Sequence, residues 1–217
     1  MPGSREIHWE WLGRRPYAGV HSLQLQLRDE LLAGRGRPTL LMAEHDPVVT
    51  LGRRAGDDAL IAPADLLAAR GIDVVRVERG GQATYHGPGQ LVGYPILPLP
   101  RFGLDVPTFV AHMEGAMADV ASDLGLAAGR RQGYPGVWVG RAKIGAVGVH
   151  VRRLISIHGF ALNLDPDLTA YDLIVPCGIH RADGEISSVA RLAGSAPSPA
   201  ELAPDVAARF LRRIHGT

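Results

Sequence analysis

Lysine is almost missing from this chain. Of 23 basic residues in 217, one is lysine, Lys143, and the others are all arginine. Asparagine is as scarce, with Asn163 alone, and so is cysteine, with Cys177. A single cysteine excludes an internal disulfide framework, so a cytoplasmic location is expected. No apolar run nears the ~20 residues that a membrane-spanning helix needs, and residues 1–6 lack the apolar core of a secretory signal. No membrane association is expected. A net charge of +1 argues against a general nucleic-acid binder. Arginine pairs at 14/15, 53/54, 130/131, 152/153 and 212/213 could still form local patches for an acidic partner.

What is present reads as globular. Hydrophobic residues make up 46% and charged residues 21%, and the length suits a single domain over 1–217 with a sizeable core. Val20, Leu23, Leu27 and Leu31 recur at helical spacing within 17–33, and Gly34 suits the stop. Pro63 opens a short helix to 70. Asp105 opens a longer one, with Phe109, Val110, Met113, Met117, Val120 and Leu124 in one stripe before Gly125. Ser198-Pro199-Ala200-Glu201 is a capping box that starts a last helix reaching about 214. Strands are predicted at 7–12, 39–44, 48–51, 72–78, 91–97, 137–139, 143–151 and 154–162. Residues 168–190 show little periodicity and read as a long ordered loop. Strands and helices do not alternate one for one, so the fold class is α+β, with mixed sheets flanked by helices.

Three places could carry chemistry. The first is the loop Arg79-Gly80-Gly81-Gln82-Ala83-Thr84-Tyr85-His86-Gly87-Pro88-Gly89-Gln90, whose glycines allow close backbone approach and whose polar residues exceed the needs of a turn. The second is Lys143. Arginine replaces lysine as a surface cation but cannot lose its proton, so a lone surviving lysine is a candidate for amine chemistry. The third is Cys177, on a bend between Pro176 and Gly178. A lone cysteine is more often a small buried hydrophobe than a nucleophile, and a reactive one needs a neighbouring cation or base. Lys143 could supply that, as could His86, His150, His158 or His180 in a Cys–His arrangement; spacing does not choose among them. Nine histidines include no His-x-x-x-His, and the chain has no Cys-x-x-Cys, so no metal is expected. The glycine loop is neither a P-loop, lacking Gly-Lys-Ser/Thr, nor a dinucleotide fingerprint, lacking a following helix.

The glycine loop with Tyr94, the segment Lys143-Ile144-Gly145-Ala146-Val147-Gly148 continuing to Ser156–Asn163, and Pro176-Cys177-Gly178-Ile179 together resemble the lipoyl(octanoyl) transferase family. His45-Asp46-Pro47-Val48 and the residues up to Arg53 are also similar, and the likeness spans about 40–190. It implies a fold shared with lipoate and biotin protein ligases. It also implies transfer of an octanoyl group from acyl carrier protein to a lysine of a lipoyl domain, as in 2-oxoacid dehydrogenase E2 subunits and the glycine cleavage H protein. On this resemblance Cys177 forms the acyl-thioester and Lys143 lowers its pKa and moves protons. Arg79, Gly80, Gly81, Gln82, Ala83, Thr84, Tyr85 and His86 would line the acyl group, with Ala146, Val147 and Gly148 and with Gly159, Phe160 and Ala161. No cofactor and no ATP are expected, because the acyl group arrives on phosphopantetheine; the expected state is a monomer. Three other readings stay open: an ATP-dependent lipoate or biotin ligase, a lipoyl-relay amidotransferase, and a carrier-binding module in which Cys177 is merely buried.

Overall fold

The computed structural model describes residues 5–175 and 184–216. It opens with a parallel strand pair, β1 (His8–Arg15) beside β2 (Thr39–His45). Parallel neighbours need a crossover, and α1 (Tyr17–Leu32) supplies it. Gly34, at φ 71°, follows the end of that helix as anticipated. The chain continues through β3 (Val48–Leu51), α2 (Ala64–Ala69), β4 (Asp73–Arg76), β5 (Ala83–His86) and β6 (Gln90–Ile96). The long α3 (Val106–Asp123) precedes a meander of β7 (Ala128–Arg131), β8 (Tyr134–Val139), β9 (Ala142–Arg152) and β10 (Ile155–Asn163). Short β11 (Glu185–Ile186) and α4 (Val189–Ala193) lead to α5 (Pro199–His215).

Two sheets are seen among the described residues. The larger runs β1-β2-β6-β10-β9-β8-β7, with β11 added parallel to β9; the smaller is β4-β3-β5. Both mix parallel and antiparallel pairs, so the α+β expectation holds. Side chains alternate across the large sheet. Phe160, Leu162, Leu91 and Ile144 meet α3 and α5 on one face, while Leu41, Val92, Ile96 and Ala161 meet α1 on the other. The small sheet packs with α2 and the turn Leu168–Leu173 into a third apolar cluster. No described helix is long and apolar enough to cross a membrane.

Three stretches differ from the sequence reading. The glycine loop is not continuous loop, because Ala83–His86 forms β5 and pairs antiparallel with β3, placing His86 opposite Val48. Its flanking glycines and proline look like breakers and hide a four-residue strand. The second is β7 with the start of β8, where Tyr134-Pro135-Gly136 carries a turn signal but pairs on from Arg131, with register shifts that absorb the irregular residues. The third is 168–190, where a 3-10 turn, β11 and α4 replace part of the expected loop; each is too short to show a period.

Candidate active site

A cavity of about 560 Å³ lies between the glycine segment and the β9–β10 pair. The paired strands set its long axis. Ala146 is opposite Ala161 and Gly148 is opposite Gly159, so the middle of the wall has two facing pairs with side chains of one carbon or none. A Cβ at Gly159 would collide with the Gly93 carbonyl oxygen, so the close approach of β10 to β6 requires glycine there. From Lys143 to Val149 this wall extends roughly 20 Å at strand rise. Lys143 and Asn163 line the cavity at one end of the strands, and His158 and Val149 line it at the other.

Arg79, Gly80, Gly81, Ala83, Thr84 and His86 face the same space from the glycine segment. Backbone bonds hold that segment in place: Gly52 N–H donates to Gln82 O at 2.8 Å, Arg54 N–H to Gly81 O at 3.0 Å, and Gly80 N–H to Val149 O at 3.1 Å. Arg79 is buried and acts as a strut. Its Nη2 donates to the Thr50 carbonyl at 2.5 Å and to Thr50 Oγ1 at 2.9 Å, and its Nη1 donates to Gly80 O at 3.1 Å. Ala146, Val147, Gly148, Gly159 and Ala161 also line the cavity. Gln82, Tyr85 and Phe160 do not. Gln82 is exposed, Tyr85 packs edge-on to Tyr171 in the small-sheet cluster, and strand alternation turns Phe160 toward Phe210.

Lys143 is 8% exposed. Its strand position is fixed on both sides: it registers with Trp138 on β8 and Ile186 on β11, and its carbonyl accepts from Ser187 N–H at 2.9 Å. Its Nζ lies 5.5 Å from the Trp138 ring centroid, a cation–π distance. Trp138 is itself held by a bond from its Nε1–H to Tyr134 O at 3.0 Å. Cys177, the expected nucleophile, and His180 lie outside the described residues. On either side of them the chain is anchored: Val175 N–H donates to Ala59 O at 3.0 Å, and Ile186 lies beside Lys143.

A buried polar network backs the cavity. Gln90 Nε2 donates to Asn163 Oδ1 at 2.8 Å, to Tyr171 Oη at 3.1 Å and to Tyr85 O at 3.2 Å. That orientation leaves Gln90 Oε1 to accept from His86 Nδ1 at 2.5 Å, so His86 carries its proton on Nδ1 and Nε2 is the basic nitrogen. Asn163 Nδ2 donates onward to Ser187 O at 2.9 Å. The lone asparagine thus links His86 to the residue that holds Lys143. Burial pushes His86 down to about 3, helped by neighbouring His45 and partly opposed by the Gln90 bond. Burial likewise pushes Tyr171 up to about 12, so it remains a phenol. His45 donates from Nδ1 to Arg15 O at 2.9 Å and accepts from Tyr94 at 2.7 Å; burial holds its pKa below the usual value.

The far end holds residues that spacing alone did not select. Tyr17 stacks on His86 at 6.1 Å and lies 3.4 Å, through its hydroxyl, from His158 Nδ1. His158 has φ 58°, a conformation that costs about 1–3 kcal/mol outside glycine. The twist breaks strand alternation, so Ile157 and His158 both turn toward α1. Gln24 Oε1 supports it by accepting from His158 N–H at 2.8 Å. His21, Glu78 and His158 form a group whose ligand atoms lie within 4.8 Å of one another.

Residues 16–211 match the model of the lipoyl protein ligase A/B catalytic domain. An octanoyltransferase of Chloroflexus aurantiacus is 44% identical over 209 residues, covering 95% of this chain and 93% of the relative. Among solved structures, a bi-partite lipoate protein ligase from Thermoplasma acidophilum superposes with TM-score 0.73 at 18% identity, over 97% of this chain and 84% of that one. A lipoate-protein ligase A bound with ATP superposes with TM-score 0.68 at 17% identity, over 97% and 85%. These superpositions speak for the fold, and the stretch 16–211 covers every described strand after β1, the glycine segment and the Lys143 wall together. The chain therefore belongs to the lipoyl protein ligase A/B catalytic domain family.

Proposed function

We propose that this protein is an octanoyltransferase that moves an octanoyl group from acyl carrier protein to a lysine of lipoyl domains through a thioester on Cys177. The observation that carries this reading is a small-residue channel with the chain's one lysine buried at its end, in a sequence 44% identical to an octanoyltransferase. In the first half-reaction the Cys177 thiolate attacks the carbonyl carbon of the octanoyl thioester. The phosphopantetheine sulfur leaves and takes a proton from the Lys143 ammonium. In the second, the neutral amine of the acceptor lysine attacks the Cys177 thioester, its proton passes to the Lys143 amine, and the Cys177 thiolate leaves as the amide forms, restoring the thiolate and ammonium. Thioester exchange is roughly isoenergetic and amide formation is downhill, so no ATP is required. The alkyl chain lies along Ala146, Gly148, Gly159 and Ala161, where a larger side chain would fill its place. The partners are acyl carrier protein and the lipoyl domains of 2-oxoacid dehydrogenases and the glycine cleavage H protein.

Intact mass spectrometry after incubation with octanoyl-acyl carrier protein and no nucleotide tests this directly. An octanoyl adduct that maps to Cys177 and discharges onto an added lipoyl domain is expected. Adduct formation only with ATP would replace the transferase by a ligase, and an adduct on Lys143 would overturn the assigned roles.

A further inference from the structure

His21 on α1, Glu78 just before the glycine segment and His158 on β10 converge on one point. Nε2 of His21 lies 3.1 Å from Glu78 Oε2, and Nε2 of His158 lies 3.4 Å from the same oxygen. Tetrahedral coordination at about 2.0–2.2 Å places neighbouring ligand atoms roughly 3.3–3.6 Å apart. The His158–Glu78 separation falls in that range, the His21–Glu78 separation is a hydrogen-bond length just short of it, and all three ligand atoms lie within 4.8 Å of one another, so a small shift brings them onto one shared cation. The His21 and His158 rings stack at 5.3 Å and 21°, and both Nε2 atoms lie near the same Glu78 oxygen.

An independent observation points the same way. His158 Nε2 is buried and makes no hydrogen bond, although it lies within reach of a carboxylate. Buried nitrogens are rarely left so. The residue is held there against its backbone preference at φ 58°, with Gln24 on its N–H and Tyr17 beside its other ring nitrogen. A ligating imidazole usually donates its second N–H to an oxygen acceptor, and the Tyr17 hydroxyl oxygen, 3.4 Å from His158 Nδ1, can take that part here. One side of the group is open: the Glu78 side chain is 44% exposed, while that of His158 is 2% exposed. An ion could enter from solvent and keep a water as fourth ligand.

We propose that His21, Glu78 and His158 form a site for a divalent transition-metal ion of the zinc class, completed by water. Two imidazoles and one carboxylate suit such an ion better than magnesium or calcium, which prefer all-oxygen shells. The ion ties α1 to the base of the glycine segment and to β10, fixing the far end of the cavity. The proposal stands apart from the transferase reading, because none of its argument uses the reaction.

The test is a Co²⁺ titration of the tag-free, chelator-treated full chain, followed by visible absorption and displaced with Zn²⁺. One saturable equivalent is expected, with a rise in thermal unfolding temperature on Zn²⁺ addition. His21→Ala should weaken uptake at least 100-fold and abolish the thermal shift. Glu78→Gln keeps a hydrogen-bonding group beside His21 but removes the charge, and should weaken uptake comparably. Absence of saturable uptake by the wild type, or uptake unchanged in either variant, would overturn the site.

Discussion

At the scale of single residues, Lys143 and His86 carry the sharpest expectations. Lys143→Arg keeps the charge and the Trp138 contact partner but removes a proton that can be given up at neutral pH. Transfer from octanoyl-acyl carrier protein should fall at least ~100-fold, the lower range for losing a general acid–base group. Single-turnover rates within a few-fold of wild type would take Lys143 out of the chemistry. His86 yields a stability prediction. Its pKa is about 3 in the fold against an ordinary 6.5, so between those values the unfolded chain binds the extra proton. Its neutral, buried state therefore supports the fold fully above pH 6.5, and that support is lost as pH falls toward 3. Two units below 6.5 the loss is about 2–3 kcal/mol. His86→Asn retains a donor toward Gln90, and its stability should fall less steeply than wild type between pH 7.5 and 4.5. Parallel urea-unfolding curves for the two proteins would show that His86 does not titrate across folding. The network behind His86 was hardly legible beforehand. Asn163 stands out in the sequence by its rarity and as the end of the Ser156–Asn163 segment, and nothing in local spacing brings it to Gln90 and Tyr171.

At the scale of elements, legibility follows period length. α1 and α3 span four or more turns, so their apolar stripes repeat often enough to be read, and α5 is read from the capping box at Ser198 and Glu201, which forms as expected. β5, β7 and β11 have four residues or fewer, with glycine directly after β5 and directly before β11, so pairing partners, not local preference, decide their form. His158 shows the same limit differently: a positive φ in mid-strand has no sequence signature when the residue is not glycine. α5 shows what a buried stripe contributes. Leu202, Val206, Phe210 and Ile214 are buried, and Phe210 meets Phe109 and Phe160 at 6.3 Å each. Phe210→Ala should destabilise the protein by about 3–5 kcal/mol, read from chemical denaturation. A loss below 1 kcal/mol would mean that α5 can be released without opening the core beneath β10.

At the scale of the whole molecule, the cavity is lined from both described sheets, so ligand in the cavity should resist separation of the sheets. Octanoate at 100 times its dissociation constant should add about 2.7 kcal/mol of stability, seen as a rise in unfolding temperature that acetate does not reproduce. Equal shifts from both acids would assign the effect to the carboxylate and not to the channel. The exterior carries a further consequence of the cation bias. The proposed reaction hands an activated acyl group to an ε-amine, and this chain possesses one, with 8% of its surface reachable. Its outer cations are guanidinium groups, which do not become amides under such conditions. A charged copy colliding with a second copy therefore meets no well-exposed lysine ε-amine.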